Sequence, residues 1–240
     1  MTGTRGAGVC LVAGAEGALG REALIGLSHE HYLVVGSCRN EKEKMSLDEF
    51  LAAQGVMGVK TFIADLASEE EVVHLVQQIE SKVGPVAYLL NAAGGFNWAP
   101  VVQTTVKDFD FLINANLRSS WLLAKHLLPG MIRRKFGRLV YISARVTLGL
   151  GDPGLGVYAA SKAGLNALVQ SLAQEMKSYN ININALLPSI IDTPGNRKAM
   201  PDHDHTAWVE PRTLVTMAHM MFSDAGNQLN GTLLTVPGRV

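Results

Sequence analysis

The chain has 240 residues, 48% hydrophobic and 18% charged, which is ample apolar material for a core and too little charge for a disordered chain. Lys plus Arg and Asp plus Glu are 21 each, so the formal net charge is zero, and the basic excess expected of a nucleic-acid partner is missing. Two cysteines, Cys10 and Cys38, are too few for a disulfide framework and lie far from any CxxC spacing, which suits a reducing compartment.

From the N-terminus, residues 1–8 are polar and glycine-rich without the apolar stretch of a signal peptide, and no run of about 18 apolar residues follows anywhere. The expectation is a cytoplasmic protein with no membrane partner. Short apolar runs then recur at 9–13, 32–36, 59–64, 86–91, 138–143, 181–187 and 232–236. Each is too continuous for a half-exposed strand, the pattern of strands buried on both faces. Between them lie amphipathic segments, such as Val72, Leu75, Val76, Ile79 and Val83, and Leu165, Leu168, Val169, Leu172 and Met176. Ser68 reads as an N-cap, with Glu69, Glu70 and Glu71 favourably placed in the first turn. The alternation runs from end to end, so residues 1–240 read as a single α/β domain: a doubly wound, mostly parallel seven-stranded sheet with helices on both faces.

The first run leads into Ala13-Gly14-Ala15-Glu16-Gly17-Ala18-Leu19-Gly20 and then a helix. Glycines there permit a tight turn and the close approach of a pyrophosphate, which the helix N-terminus attracts. The second run ends Cys38-Arg39-Asn40, with no carboxylate before Glu41. An acid at that strand end selects NAD through the ribose hydroxyls, whereas an Arg accepts a 2′-phosphate, so Arg39 points to NADPH/NADP over NADH. Glu16 argues in the other direction, since a carboxylate in the turn repels an extra phosphate.

Tyr158 and Lys162 stand four apart in Tyr158-Ala159-Ala160-Ser161-Lys162 and share a helix face. A neighbouring ammonium stabilises a phenolate, so the tyrosine is expected to titrate below its usual value of about 10 and to serve as a general acid.

These motifs occur in a telling order: the Gly-rich turn, Asp65-Leu66 after the third run, Asn91-Ala92-Ala93-Gly94 after the fourth, Asn116-Leu117 within a helix, Tyr158 and Lys162, and Pro188-Ser189-Ile190-Ile191-Asp192-Thr193 after the sixth. Over nearly the whole chain this resembles the short-chain dehydrogenase/reductase family. The resemblance implies a Rossmann-type fold. It matches Gly14 and Gly20 to the first and last turn glycines, with Ala18 at the middle position and Gly17 displaced by one. It places Gly17, Ala18, Leu19, Asp65, Leu66, Asn91, Ala92, Ala93, Pro188, Ile191 and Thr193 among the cofactor contacts, Asp65 on the adenine and Ile191 and Thr193 on the carboxamide. Tyr158 becomes the acid, Lys162 the ribose-binding residue that tunes it, and Asn116 the residue of the proton relay that positions a water. A homodimer or homotetramer packed through the Asn116 and Tyr158 helices is also implied, with Ala159, Ala160 and Ala163 small enough for close approach.

One departure concerns the serine that the family carries after the fifth strand. Aligned on the strand, Ala144 takes its position; counted back from Tyr158, Arg145 does. Ser143 is the nearest hydroxyl and the candidate working serine, with Thr147 second, unless no serine acts. Dihydropteridine reductases lack it too, and the stretches 187–208 and Ala93-Gly94-Gly95-Phe96 resemble theirs, although they prefer NADH. The substrate is therefore expected to be a small carbonyl, quinone or pterin-like molecule. A catalytically silent cofactor-binding protein is the alternative of another kind. Asp202, His203, Asp204 and His205 read as a polar loop over the substrate pocket, not as metal ligands, because a loop is a poor scaffold for three or four converging donors. Trp208 beyond it reads either as a cover for a ring substrate or as an anchor for the next helix.

Overall fold

The computed structural model describes residues 8–30, 32–149 and 151–240, so the reading of the N-terminal stretch lies, apart from Gly8, outside the described residues. Seven strands form one sheet: β1 (Val9–Ala13), β2 (Leu33–Cys38), β3 (Lys60–Ile63), β4 (Val86–Asn91), β5 (Gly137–Ile142), β6 (Ile181–Pro188) and β7 (Leu233–Val236). Their order is β3-β2-β1-β4-β5-β6-β7, and every pairing among them is parallel. The chain thus winds outward from β1 to one edge, returns to β4 and winds to the other. The reversal falls between β1 and β4, where loops leaving two adjacent strand ends diverge and open a crevice.

Alternation along β1 shows why both faces are apolar. Val9, Leu11 and Ala13 join one core cluster, with Val72, Leu75 and Ile79 of α3 (Glu69–Lys82) and with Leu122, Leu123 and Leu127 of α5 (Ser119–Arg134). Cys10 and Val12 join the opposite cluster, with Leu24 and Leu27 of α1 (Ala18–Ser28) and with Leu214, Ala218 and Met221 of α8 (Pro211–Phe222). Successive side chains of a strand point to opposite faces, so a strand between two helical layers must be apolar throughout. The thiols of Cys10 and Cys38 are buried and free.

Helix starts follow local chemistry. Ser68 accepts from the Glu71 N–H at the head of α3, as its position predicts, and Asn40 does the same for Glu43 in α2 (Glu41–Ala53). Thr105 and Asp108 form a reciprocal capping box on α4 (Val106–Ile113). The expected helix around Asn116 is interrupted: α4 passes through a π-helical turn, Asn114–Arg118, before continuing as α5. Such a turn widens the backbone and re-aims a side chain, and it is common where a helix serves a site. Two helices complete the set: α6 (Gly156–Met176) and α7 (Pro194–Ala199). Among the described residues no helix is long and apolar enough to cross a membrane.

Candidate active site

At the end of β1 the chain turns through Gly14, whose φ is +73°, a conformation that side chains resist. A Cβ on Gly14 would lie 2.6 Å from the Ala93 backbone, and one on Gly20 would lie 2.3 Å from the Gly14 carbonyl oxygen. These glycines let the β1 turn pack against the β4 turn and against α1. Gly17 differs: a Cβ there would meet only the Gly14 oxygen, at 3.5 Å, and the residue faces a cleft. It is also the N-cap of α1, and no side chain caps that terminus, in contrast to α2, α3 and α4. The first N–H groups of α1 are therefore left to whatever enters, the arrangement that binds a phosphate. Ala18 occupies the first helical position, and Leu19 is buried in the core instead of lining the cleft.

The cleft occupies the crevice beyond β1 and β4 and has a volume of about 710 Å³, within the range of ligand sites. Gly14, Gly17, Arg39, Asp65, Leu66, Ala92 and Ala93, proposed from sequence, all line it. Asn91 does not; its side chain donates to Ser120 Oγ (2.9 Å) and accepts from the Ala93 N–H (3.1 Å), holding the turn that does. Asp65 closes an Asx turn by accepting from Ala67 N–H (3.0 Å). Pro188, Ile191 and Thr193 leave the end of β6 outside this lining. Ile191 is bridged to Val209, and Thr193 caps α7 by accepting from the Asn196 N–H.

At one end of the cleft stand two acid–base pairs. Arg21 holds the Glu16 carboxylate through Nη2 at 2.6 Å and lies over the Phe50 ring. The repulsion that Glu16 threatened is thus largely cancelled by its own partner. Arg39, exposed, donates from Nη2 to Glu43 Oε1 at 2.7 Å, while Glu43 Oε2 accepts from the Arg39 backbone N–H at 2.8 Å. Those bonds hold the Glu43 carboxyl below its ordinary range in spite of its partial burial. Glu43, absent from the sequence-based candidates, lies beyond the strand end at the third residue of α2, where no motif marks it. Ser37 Oγ is buried at this end and has no hydrogen-bond partner among the described residues.

At the other end α6 brings Tyr158 and Lys162 against Phe96 and Gly94 of the lining, although neither lines the cleft itself. The Tyr158 ring packs edge-on against Phe96 of the cleft, with centroids 5.0 Å apart. Lys162 is buried, its Nζ donates to the Ile142 carbonyl (2.8 Å), and a Cβ on Gly94 would stand 3.1 Å from that Nζ. The expected downward tuning of the phenol is not found. Burial pushes Tyr158 up to about 12 and pushes Lys162 down to about 8. Desolvation by burial is the cause in both, disfavouring the phenolate and the ammonium alike.

Asn116 is fully buried and fully engaged. Its Oδ1 accepts from Gly95 N–H (2.9 Å), and its Nδ2 donates to the Gly95 carbonyl (3.0 Å) and to Ser161 Oγ (2.9 Å). Its own carbonyl accepts from Ser120 Oγ at 2.8 Å. The Asn116 side chain thus clamps Gly95 against α6. Ser143 is turned away from the cleft as well: its Oγ donates to the Lys162 carbonyl at 3.3 Å. Ala144 stands at the strand end, and Thr147 Oγ1 donates back to its carbonyl (2.8 Å). No serine hydroxyl is thus presented beside Tyr158 by this segment.

The segment 194–208, which contains α7, folds on itself. Trp208 is buried and packs on His205, ring centroids 4.4 Å apart, while His205 Nε2 meets the Met200 carbonyl at 2.9 Å. Trp208 is accordingly the anchor of the segment leading to α8. Among the described residues no three His, Cys, Asp or Glu side chains converge as metal ligands.

Known proteins are similar over most of the chain. The family model described as short chain dehydrogenase matches residues 8–204. A 2-dehydro-3-deoxy-D-gluconate 5-dehydrogenase of Formosa agariphila is 29% identical, over 97% of this chain and 92% of its own. A nodulation protein G of a Rhizobium species is 36% identical, over 76% of this chain and 73% of its own. The solved structure of ElxO with NADP bound superposes with a TM-score of 0.89 at 21% identity, covering 97% of this chain and 98% of the other.

Proposed function

Because this chain belongs to the short-chain dehydrogenase family and is an NAD(P)-dependent oxidoreductase of that type, we propose that it is an NADPH-dependent reductase of a small carbonyl or imine-like substrate, with Tyr158 as general acid. The observation that carries the reading is that Tyr158 and Lys162, which do not themselves line the cleft, abut its residues Phe96 and Gly94 at one end, while its other end is the uncapped N-terminus of α1.

The fit of a dinucleotide rests on that uncapped helix, on the open face of Gly17 and on the unpartnered Ser37 hydroxyl. Gly17 and the first turn of α1 would hold the pyrophosphate, Asp65 and Leu66 the adenine, Arg39 the 2′-phosphate, and Lys162 the second ribose. When bound, the nicotinamide supplies the hydride. Tyr158, protonated throughout the physiological range, gives its phenolic proton to the substrate oxygen or nitrogen as negative charge builds there. Asn116 keeps Gly95, and with it Phe96, in place against the reacting side chain. A homodimer or homotetramer through the π-turn and Tyr158 helices belongs to the same reading. Ala160 and Ala163 are exposed on α6, as that packing requires.

The test is a turnover panel with NADPH and NADH against simple ketones, β-ketoacyl thioesters, quinones and quinonoid dihydropterin. Turnover of none of them with either cofactor removes the proposal. Arg39→Ala is expected to abolish the preference for NADPH over NADH. A charge-assisted contact contributes about 1.5–3 kcal/mol, and the competing Glu43 holds the preference toward the lower end, about tenfold.

A second reading, reduction of a quinonoid dihydropterin, is favoured by the withdrawn Ser143 hydroxyl. A ketone needs donors for its oxyanion, and losing one costs about 10²-fold, whereas an electron-poor quinonoid ring spreads the charge. Ala144→Ser is expected to raise ketone turnover and to leave pterin turnover unchanged, and Ser143→Ala to leave both intact. A large loss with every substrate in Ser143→Ala would make Ser143 the working serine and remove the pterin reading.

A further inference from the structure

Charged groups around the adenosine end of the cleft carry information on cofactor choice that a lone arginine does not. Among the described residues lining the cleft, Arg39 is the only lysine or arginine, against three carboxylates: Glu16, Glu43 and Asp65. Glu16 has its own counter-ion in Arg21, which lies outside the lining and is further held by Ser46 Oγ (2.8 Å) and by the Phe50 ring. That pair stays together whatever enters. Glu43 is different, because its counter-ion is Arg39, the cation that a 2′-phosphate would need. Arg39 Nε and Nη2 both reach Glu43 Oε1, at 3.2 and 2.7 Å, so one edge of the guanidinium is engaged by a carboxylate. The carboxylate is in turn anchored by the Arg39 backbone N–H, at 2.8 Å, and does not swing away with the side chain.

We propose that Glu43 is the residue that sets cofactor discrimination, as an internal competitor for Arg39. The inference rests on the dinucleotide reading above. When a cofactor with a 2′-phosphate enters, the phosphate shares Arg39 with the Glu43 carboxylate or displaces it, and in either case stands beside like charge. When a cofactor with free ribose hydroxyls enters, the pair stays intact, and Glu43, anchored just beyond the end of β2, accepts from the hydroxyls as a strand-end carboxylate does. The chain therefore takes both cofactors with a narrow margin, and the margin is carried by the pair and not by Arg39 alone.

The experiment measures dissociation constants of NADPH and NADH by calorimetry for the unmutated chain, Glu43→Gln, Arg39→Ala and the double variant. Glutamine keeps an oxygen for the Arg39 N–H, and a thermal melt within a few degrees of the parent confirms that the fold is retained. Glu43→Gln is expected to tighten NADPH about threefold and to leave NADH equal or weaker, the effect of releasing one exposed i,i+4 ion pair. In the Arg39→Ala background the same change is expected to have less than about a third of that effect on NADPH, since competition needs the arginine. An unchanged NADPH-to-NADH ratio in Glu43→Gln overturns the inference. So does an equal effect with and without Arg39, which would mean simple charge repulsion. If the unmutated chain binds neither cofactor, the dinucleotide reading itself fails and this inference with it. If it binds NADPH strongly and Glu43→Gln changes nothing, only this inference fails.

Discussion

Replacing Tyr158 with phenylalanine is expected to lower kcat by a factor of about 10² or more, the usual share of general acid catalysis, while the NADPH dissociation constant moves by less than about twofold. The substitution removes one oxygen and little else. The Phe ring keeps the edge-on contact with Phe96, and the Tyr158 backbone carbonyl still accepts from Ser161 Oγ at 2.7 Å. Loss of rate without loss of binding is what separates a proton donor from a packing residue. The resting state of the phenol supports that role, since burial keeps it protonated up to about pH 12 and the donor form is present throughout the working range. Rates at parental level for a ketone substrate in Tyr158→Phe would show that the acid lies elsewhere.

How much of this was legible in the sequence depended on whether a feature is set by local chemistry or by long-range packing. The seven apolar runs became seven strands with shifts of a residue or two, because burial on both faces leaves a continuous apolar signature. The Ser68 cap and the glycine turn were legible for the same local reasons. Orientation was not. Ser143 is adjacent in sequence to the position the reaction would use, yet its hydroxyl turns to the Lys162 carbonyl, a contact between residues 19 apart. Asn116 reads as part of a helix, and only the π-helical turn shows that its amide spans to Gly95 and Ser161. Tyr158 and Lys162 share a face as their spacing requires, but the Ile142 carbonyl, supplied by β5, decides where the ammonium points. Glu43 enters the site through the register of α2 against the end of β2, which no motif encodes.

Lys162→Met is expected to cost at least about 10² in turnover and to leave the folded chain no less stable at pH 7 than the parent, within about 1 kcal/mol. The ammonium is buried, and its titration is pushed from an ordinary 10.5 down to about 8. That displacement corresponds to about 3 kcal/mol of cost for keeping it charged in the fold. Methionine removes this cost and fills the same unbranched volume, against which the Ile142 carbonyl loses its donor, a penalty of about 1–3 kcal/mol. The two nearly offset at pH 7. Their pH dependence differs, and this makes the claim specific. Below pH 8 both folded and unfolded chains hold the proton, so the full cost is present. Between about 8 and 10.5 the unfolded chain still holds it and the folded chain does not, so parental stability rises with pH across that window and levels off above it. Tyr158, raised from 10 to about 12, acts oppositely and only above pH 10, so the two windows separate. Urea unfolding at pH 7, 8, 9 and 10 should therefore show the parent gaining on Lys162→Met at each interval. Parallel profiles for the two proteins, or a methionine variant more than about 3 kcal/mol less stable at pH 7, would mean that the buried ammonium holds the fold together and is not a strain kept for the reaction.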